Sequence, residues 1–320
     1  MNYEKVYEKN FVEIYKLSER VYFRNASWDK RNQCNGGYIV FEDFVIAVDA
    51  PSVEGANEML AEVAQLFGKP VRYVILTHGH WDHADGLPVF VEVGAAVIGS
   101  ANMLKKLKAD GVKLPELSVG VGASAYIEID GMAFEPFTIP GSVHSVEDLF
   151  IAIPSENMVF TGDAVAELEN LFFGNCDFDN WLAALDVIEA KNFATVCVGH
   201  GKIKDGGHFA VQKAYFNALS DAVNTQMRAA GLSTSGAAAG ATAGTTQGAS
   251  AAGAAGSSAA GSTPGAVPPD RAALMEFAKA AVDDKDNDGA KRAVELAGSA
   301  VATRHIAALY DTKIKAQDRG

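Results

Sequence analysis

The feature that most constrains this chain is a six-residue run, His78–His83, with the sequence HGHWDH. It contains four side chains that can bind a metal ion, and three of the seven histidines of the chain lie in it. The run directly follows Val71–Thr77, a segment rich in β-branched residues that is typical of a buried strand. Side chains alternate between the two faces of a strand, so only a tight loop after the strand can direct all four to one place. The sequence therefore predicts a metal-binding loop at the edge of a sheet.

Three more candidate ligands occur later in the chain. Each lies just after a predicted strand; they are His144 after Met132–Ile139, Asp163 after Met158–Thr161 and His200 after Ala194–Val198. A single such residue is typical of a cap or of the surface. All seven together give five histidines and two aspartates, whereas closed structural zinc sites are usually rich in cysteine. The set is large enough for two zinc ions if one carboxylate bridges them.

Strands and helices alternate along the rest of the first 228 residues. The further predicted strands are a hairpin over Gly37–Asp49, then Ala95–Ile98, Tyr126–Asp130 and Leu149–Ile153. The predicted helices, each with apolar residues spaced for one face, are Val53–Phe67, Phe178–Ala190 and Phe209–Met227. Such mixing favours an α/β (α+β) fold in which helices pack outside the sheets.

Composition divides the chain into three parts. Residues 1–228 are predicted to form a catalytic domain. Residues 229–269 are almost entirely Ala, Gly, Ser and Thr, and they predict a flexible linker because they have few large apolar side chains to bury. Residues 270–320 predict a helical hairpin of Arg271–Val282 and Ala293–Leu309. Asp284–Gly289 lies between these helices, and with Glu295 at the twelfth position it matches the EF-hand calcium pattern; both a calcium site and a plain polar turn remain open.

The charge balance and the cysteine count limit the partners and the compartment. The formal net charge is −13, which argues against binding to nucleic acid or to an anionic membrane surface. No stretch reaches the roughly 18 apolar residues of a membrane span, and the charged start of the chain lacks the apolar segment of a signal peptide. Three cysteines without paired spacing favour a reducing, cytoplasmic setting. The sequence leaves homo-oligomer formation open.

The order of the ligands resembles that of the metallo-β-lactamase superfamily. H-x-H-x-D-H, a later His, an Asp after Thr-Gly and a final Gly-His occur in the family's order over roughly residues 10–205. Asn35–Ala50 also resembles the family's early strand pair, and Pro140–Asp163 resembles the segment that joins the third His loop to the shared Asp. The resemblance implies an αββα sandwich with the site at one edge. It also implies ligand roles: His78, His80 and His144 for a first metal, Asp82, His83 and His200 for a second, and Asp163 as the bridge between them.

The resemblance further implies a hydrolase with two Zn²⁺ ions, although iron or manganese also suit such residues. A hydroxide bridging the metals would attack a small ester, thioester, lactone or amide, Asp82 would orient that hydroxide, and Asp49 would support the motif loop. The ligand set is most similar to that of the hydroxyacylglutathione hydrolases. The alternatives are a mononuclear iron enzyme like the persulfide dioxygenases, and a β-lactamase with that reaction as a main or promiscuous activity.

Departures from the subfamilies narrow the expected small-molecule substrate. His83 and Asp163 stand where the best-known β-lactamases have Arg and Cys, and the Tyr often found in lactonases is missing between Asp163 and His200. Candidates for substrate contacts are Trp28, Trp81, Phe172–Phe173 and, for a glutathione group, Lys202 and Lys204. Core packing or ordinary surface exposure explains each of these residues at least as well.

Overall fold

A computed structural model of the chain describes residues 2–31, 33–174, 176–232 and 271–317. The predicted linker falls outside the described residues from position 233 to its end. The chain divides into two compact units, Met1–Ala218 and Leu219–Gly320. The domain boundaries expected from composition stay a prediction.

The first unit contains an eight-stranded sheet whose strands follow one another in chain order. The five strands β1 to β5 pair antiparallel, and the last three pairings are parallel. Parallel neighbours need a crossover, and helices supply it here. The strands are β1 (Glu4–Lys9), β2 (Val12–Lys16), β3 (Val21–Ala26), β4 (Gly36–Val40), β5 (Val45–Val48), β6 (Val71–Ile75), β7 (Ala96–Ser100) and β8 (Ser118–Val121).

Seven α-helices begin in the described part of the first unit. They are α1 (Trp28–Arg31), α2 (Val53–Phe67), α3 (Trp81–Ala84), α4 (Leu87–Glu92), α5 (Ala101–Ala109), α6 (Phe178–Glu189) and α7 (His208–Ala229). Helix α2 shows how its ends are fixed. The Ser52 hydroxyl accepts the Gly55 N–H at 3.2 Å, and the helix ends at Gly68, which takes the left-handed conformation with φ 64°.

A second sheet of six strands has the order β14-β13-β12-β11-β10-β9. Its strands are β9 (Ile127–Ile129), β10 (Met132–Phe137), β11 (Phe150–Ile153), β12 (Met158–Gly162), β13 (Thr195–Val198) and β14 (Lys204–Asp205). Strands β12 and β13 pair parallel, and α6 is the crossover between them. The predicted strands and the three predicted helices are found within a few residues of their expected bounds, and the acidic turn of the predicted hairpin joins β4 to β5.

One hydrophobic core takes its side chains from both sheets, including Ile39 and Ile75 of the first and Ile151 and Phe160 of the second. A second core lies between the first sheet and its helices and includes Met59 of α2. On the second sheet, α6 and α7 pack through Trp181 and Phe216, whose ring centroids are 5.1 Å apart, and other rings. The layers are therefore helix, sheet, sheet, helix, and the αββα prediction is confirmed.

The described part of the second unit contains the end of α7. Its residues 271–317 form α8 (Arg271–Asp283), α9 (Asp288–Ala297) and α10 (Ser299–Gln317). The sequence predicts two helices here and the structure has three, because Asn287 caps a helix where a polar loop is expected. Its side-chain oxygen accepts the Ala290 N–H at 3.0 Å, and its amide donates to the Ala222 carbonyl at 3.0 Å. Most of the EF-hand pattern thus lies in α9, and its acidic side chains are not among the candidate ion-binding groups in the described residues.

Among the described helices, none combines the length and the apolar character that crossing a bilayer requires.

Candidate metal centre

The seven predicted ligands come together at one edge of the sandwich. They form two groups, and each group takes ligands from both sheets. His78, His80, Asp82 and His83 lie in the connection after β6, where α3 begins at Trp81 and contains the last two. The other three ligands belong to the second sheet. His144 lies between β10 and β11, Asp163 follows β12 directly, and His200 follows β13. All of them except the half-buried His80 are buried.

The first group, which we call the imidazole cluster, consists of His78, His80 and His144. The Nδ1 atom of His80 lies 3.0 Å from Nε2 of His78 and 2.9 Å from Nε2 of His144. Three nitrogens bound tetrahedrally to one zinc ion at normal bond lengths would be roughly 3.3 Å apart. The three rings therefore converge on one point at nearly the spacing that a shared ion requires.

The second group, which we call the carboxylate cluster, consists of Asp82, His83 and His200. Oδ2 of Asp82 lies 3.1 Å from Nε2 of His200 and 3.5 Å from Nε2 of His83. Asp163 joins the clusters, since its Oδ1 lies 3.2 Å from Nε2 of His83 and its Oδ2 lies 3.3 Å from Nε2 of His200 and 3.5 Å from Nε2 of His144.

Unpaired buried atoms test whether this arrangement fits a metal. Nε2 of His83 and Oδ1 of Asp163 are both buried, and neither has a hydrogen-bond partner of acceptable geometry although they lie 3.2 Å apart. An unpaired buried polar atom costs about 1–3 kcal/mol. A cation between them would satisfy both atoms, and nitrogen and oxygen donors suit zinc. In each cluster taken together with Asp163, the potential ligand atoms lie close enough to one another to bind one ion.

The two clusters differ in their electrostatics. Burial lowers the pKa of His78 and His80 and lowers that of His144 to about 4, so these rings are neutral and offer lone pairs. Burial also acts on His200, but the charge and hydrogen bond of Asp163 outweigh it and raise its pKa to about 9. His83 behaves likewise: burial lowers its pKa, but the carboxylates of Asp163, Asp82 and Asp49 outweigh burial and raise the pKa well above the usual range.

Asp49 holds the motif loop from behind. Its Oδ2 lies 2.9 Å from Nδ1 of His83 and accepts the Thr77 hydroxyl at 2.9 Å, while Oδ1 accepts the Thr77 N–H at 2.7 Å. Asp49 itself takes a left-handed φ of 62°, a conformation that is uncommon for a residue other than glycine. The carboxylate therefore orients the His83 ring so that its Nε2 faces the carboxylate cluster.

Amide side chains hold the other ligand loops. The Nδ2 of Asn35 donates to the carbonyls of Val198 and Gly201 on either side of His200, at 3.0 and 2.8 Å. The Nδ2 of Asn180 donates to the carbonyls of Pro140 and Ser142 before His144, at 3.1 and 2.9 Å.

Gln212 on α7 does the same for the segment after Asp163. Its amide donates to the Ala164 carbonyl at 2.9 Å, and its oxygen accepts the Ala166 N–H at 3.3 Å. Sequence reasoning missed all three amide residues. The carbonyl groups that Asn35 and Asn180 bind belong to residues between 38 and 166 positions away in the sequence. No local sequence pattern therefore marks these amide residues.

Two glycines are required next to Asp163. A Cβ at Gly199 would lie 2.0 Å from Oδ1 of Asp163, so no larger residue fits there. A Cβ at Gly162 would lie 2.6 Å from the Thr77 hydroxyl, and this glycine has a φ of 51°. The backbone can therefore approach the centre closely only because both positions lack a side chain.

Aromatic side chains surround the centre. The Trp28 ring meets His200 edge-on at 4.6 Å and lies 6.1 Å from Trp81. Phe172 lies 6.1 Å from His80, and the side chains of Trp81 and Phe172 are 49% and 53% exposed. Phe173 instead is buried and packs against Trp181 and Phe216, so it belongs to the core rather than to a substrate pocket.

The two lysines proposed for a glutathione group lie beside a carboxylate. Lys204 Nζ is 2.8 Å from Oε1 of Glu167, and the same oxygen accepts the backbone N–H of Lys202 at 3.2 Å. Lys204 therefore already has an anionic partner within the chain.

Comparison with known proteins gives consistent matches. The model of the metallo-beta-lactamase superfamily matches residues 29–200. The hydroxyacylglutathione hydrolase of Ruegeria pomeroyi is 30% identical over 141 residues, which are 43% of this chain and 51% of that protein. The metallo-beta-lactamase type 2 of Bacteroides fragilis is 25% identical over 173 residues, which are 52% of this chain and 68% of that protein.

A solved metallo-beta-lactamase from Pontibacter korlensis has the same fold, with a TM-score of 0.58 at 19% identity over 64% of this chain and 98% of that one. This chain spans only about half of the length of the hydroxyacylglutathione hydrolases that it matches, 51% of the Ruegeria pomeroyi protein and 51% of a second one. They therefore bear on the domain that carries the clusters and not on a complete relative.

Proposed function

Because the chain belongs to the metallo-beta-lactamase superfamily, we propose that it is a binuclear zinc hydrolase that cleaves a small ester, thioester, lactone or amide. One observation carries the proposal. Two adjacent groups of histidines and aspartates, all buried except the half-buried His80, share the carboxylate of Asp163. In this proposal His78, His80 and His144 hold the first ion, Asp82, His83 and His200 hold the second, and Asp163 contacts both.

A pair of zinc ions would lower the pKa of a bound water molecule and polarise the substrate carbonyl. The protein would provide the rest of the chemistry. The Asp82 carboxylate, beside His83 and His200, would accept a hydrogen bond from the attacking water and direct its lone pair at the carbonyl carbon. The clusters are buried, and this limits competing contacts with bulk water.

The surroundings of the centre favour a substrate with an apolar or aromatic portion. Trp28 and Phe172 lie against cluster histidines, Trp81 lies beside Trp28, and aromatic side chains bind apolar groups. The pairing of Lys204 with Glu167 weakens the case for a glutathione carboxylate at that position. Hydroxyacylglutathione thioesters and β-lactams stay in the substrate range because relatives bear those names.

The mononuclear iron alternative needs one metal position only. The presence of a second group with its own aspartate and two histidines supports two ions instead. Iron and manganese remain alternatives to zinc, because imidazole and carboxylate bind all three. The cytoplasmic setting stays a prediction, and homo-oligomer formation stays open.

Metal analysis and a substrate screen test the proposal together. The protein is purified without added metal, its metal content is measured, and hydrolysis of thioesters, lactones, aryl esters and cephalosporins is followed before and after zinc loading. We expect two zinc ions per chain and hydrolysis that is lost on chelation and restored by zinc. One iron per chain would support the persulfide dioxygenase alternative, and failure to bind any divalent metal would contradict the proposal.

A further inference from the structure

We propose that Asn35 and Asn180 are positioning residues that each set the geometry of one metal cluster. Asn35 would fix His200 and thereby the carboxylate cluster, and Asn180 would fix His144 and thereby the imidazole cluster. This inference rests on the proposed function, since it concerns the affinity of the same two metal positions.

The need for such residues follows from the ring nitrogens that face away from the clusters. A metal-binding histidine usually donates its other ring N–H to a carboxylate or carbonyl, which fixes the orientation of the ring. His83 has such a partner in Asp49 at 2.9 Å. Nδ1 of His144 and Nδ1 of His200 are buried without a hydrogen-bond partner. The orientation of these two rings must therefore come from their backbone and from packing.

Asn35 supplies the backbone restraint for His200. Its own N–H donates to the Gly199 carbonyl at 2.8 Å, in addition to the two bonds from its side chain to Val198 and Gly201. The side-chain oxygen accepts the Ala26 N–H at 3.0 Å and the Asn25 amide at 2.9 Å. Every polar atom of this side chain is therefore in use, and the residue is only 2% exposed.

The restraint matters because His200 lies between two glycines, which allow more backbone conformations than other residues. Nε2 of His200 has to lie 3.1 Å from Oδ2 of Asp82 and 3.3 Å from Oδ2 of Asp163. Asn35 belongs to the connection that leads into β4 of the first sheet, and the His200 loop belongs to the second sheet. Its hydrogen bonds therefore fix the loop relative to Asp82 on the opposite sheet.

Asn180 plays the equivalent part for His144. It lies in the first turn of α6, where the Asp177 side chain accepts its backbone N–H at 3.1 Å. Its amide spans Gly141, which has a φ of 87°, by bonding the carbonyls on either side. His144 follows two residues after Ser142, so the path of the chain into the imidazole cluster depends on this amide.

Site-resolved metal binding tests the inference. Asn35→Ala and Asn180→Ala are loaded with zinc, and long-range proton–nitrogen NMR of the histidine rings identifies which rings are metal-bound. Competition with a chelator gives the two affinities. Loss of a residue that orients a ligand typically weakens metal binding by about 10–100-fold. We expect Asn35→Ala to weaken binding by His83 and His200 to that extent, and Asn180→Ala to weaken binding by His78, His80 and His144.

A buried asparagine of the second unit is the matched control. Asn287 also makes two hydrogen bonds to the backbone and is buried, and its unit contains none of the seven ligands. Asn287→Ala should lower the unfolding temperature without changing either zinc affinity. Asn35→Ser, which keeps a small polar side chain, replaces Asn35→Ala if the latter does not fold.

Two results would overturn the inference. One is wild-type affinity at both positions in both asparagine variants. The other is equal weakening of both positions in either variant, which is the pattern of a general loss of stability. If the wild-type protein itself binds no metal, the proposed function fails. If it binds two metals and the variants show no selectivity, only the positioning roles fail.

Discussion

The imidazole cluster and the carboxylate cluster share Asp163 and lie side by side, yet their chemistry without a metal differs. The rings of His78, His80 and His144 are neutral, because burial lowers the pKa of each. In the other cluster, His83 and His200 have raised pKa values, whereas those of Asp82 and Asp163 are lowered. The carboxylate cluster thus contains internal ion pairs, and the imidazole cluster does not.

Because of this difference, two metal positions in one site need not bind their ions in the same way. The imidazole cluster presents lone pairs that are ready for an ion. In the carboxylate cluster an arriving ion has to displace protons from histidines that already have anionic partners. The acidic members compensate by attracting the cation.

The largest effect is expected for His80→Ala, because this half-buried residue contributes Nδ1 to the centre of the imidazole cluster. We expect loss of the first zinc and a fall in hydrolysis by about a thousandfold, since catalysis by a metal ion supplies several kcal/mol. Elemental analysis and steady-state kinetics measure both. Two zinc ions and full activity in a folded variant would contradict the ligand assignment.

Asp49→Asn should act on the carboxylate cluster alone. The variant keeps the shape of the side chain but removes the charge that His83 Nδ1 contacts at 2.9 Å. The affinity for the second zinc should fall by about 10–100-fold, while that of the first should not change. Chelator competition measures the two steps. An equal loss at both positions would show that Asp49 supports the whole loop rather than His83.

Zinc binding should depend on pH at the carboxylate cluster only. The pKa of His200 is about 9, so its ring is protonated at neutral pH and must release that proton to an arriving ion. His83 has a raised pKa as well and must also release a proton, so the affinity there should rise by about tenfold per pH unit for each proton released, up to about a hundredfold, from neutrality towards pH 9.

The pKa of His144 is about 4, so the imidazole cluster should bind with no proton release over the same range. Calorimetry in buffers with different ionisation enthalpies counts the protons. Equal proton release in the two binding steps would contradict the difference between the clusters.

The smallest effects are expected at the aromatic side chains around the centre. Trp28→Ala removes the edge contact to His200, and Phe172→Ala removes the ring near His80. An aromatic contact contributes about 1 kcal/mol, so we expect a severalfold rise in KM for apolar substrates with little change in kcat. Tyr126→Ala, an exposed aromatic of the segment that leads into β9, is the control. A large fall in kcat for Trp28→Ala would place Trp28 among the residues that orient His200.

Much of the fold and the composition of the site could be predicted from the sequence. The helical spacing of apolar residues predicted α2, α6 and α7, and the position of each candidate ligand after a strand predicted a common edge. The structure gathers all seven, and their binding of metal stays a prediction. The strands that were missed are β1, β2, β3, β8 and β14. In β1 and β2, Lys and Glu are interspersed with the apolar residues, as in Glu4–Lys9.

The supporting residues could not be predicted for a different reason. Asparagine and glutamine are common on surfaces and in turns, and Asn35 becomes informative only when the second sheet places Val198 and Gly201 beside it. Helix α9 was missed because its N-cap, Asn287, belongs to a pattern that fits a calcium loop as well as a helix cap. Both cases depend on contacts between distant parts of the chain.

Each cluster takes ligands from both sheets, and this has a consequence for the whole first unit. Any sliding of one sheet over the other would separate His144 and His200 from the motif loop. By thermodynamic reciprocity, an ion that binds both sheets must oppose such sliding. A substitution that repacks the core between the sheets, for example at Ile151, would then change the affinity of the clusters for metal ions. The interior of the sandwich and the occupancy of its edge are therefore coupled properties of one structure.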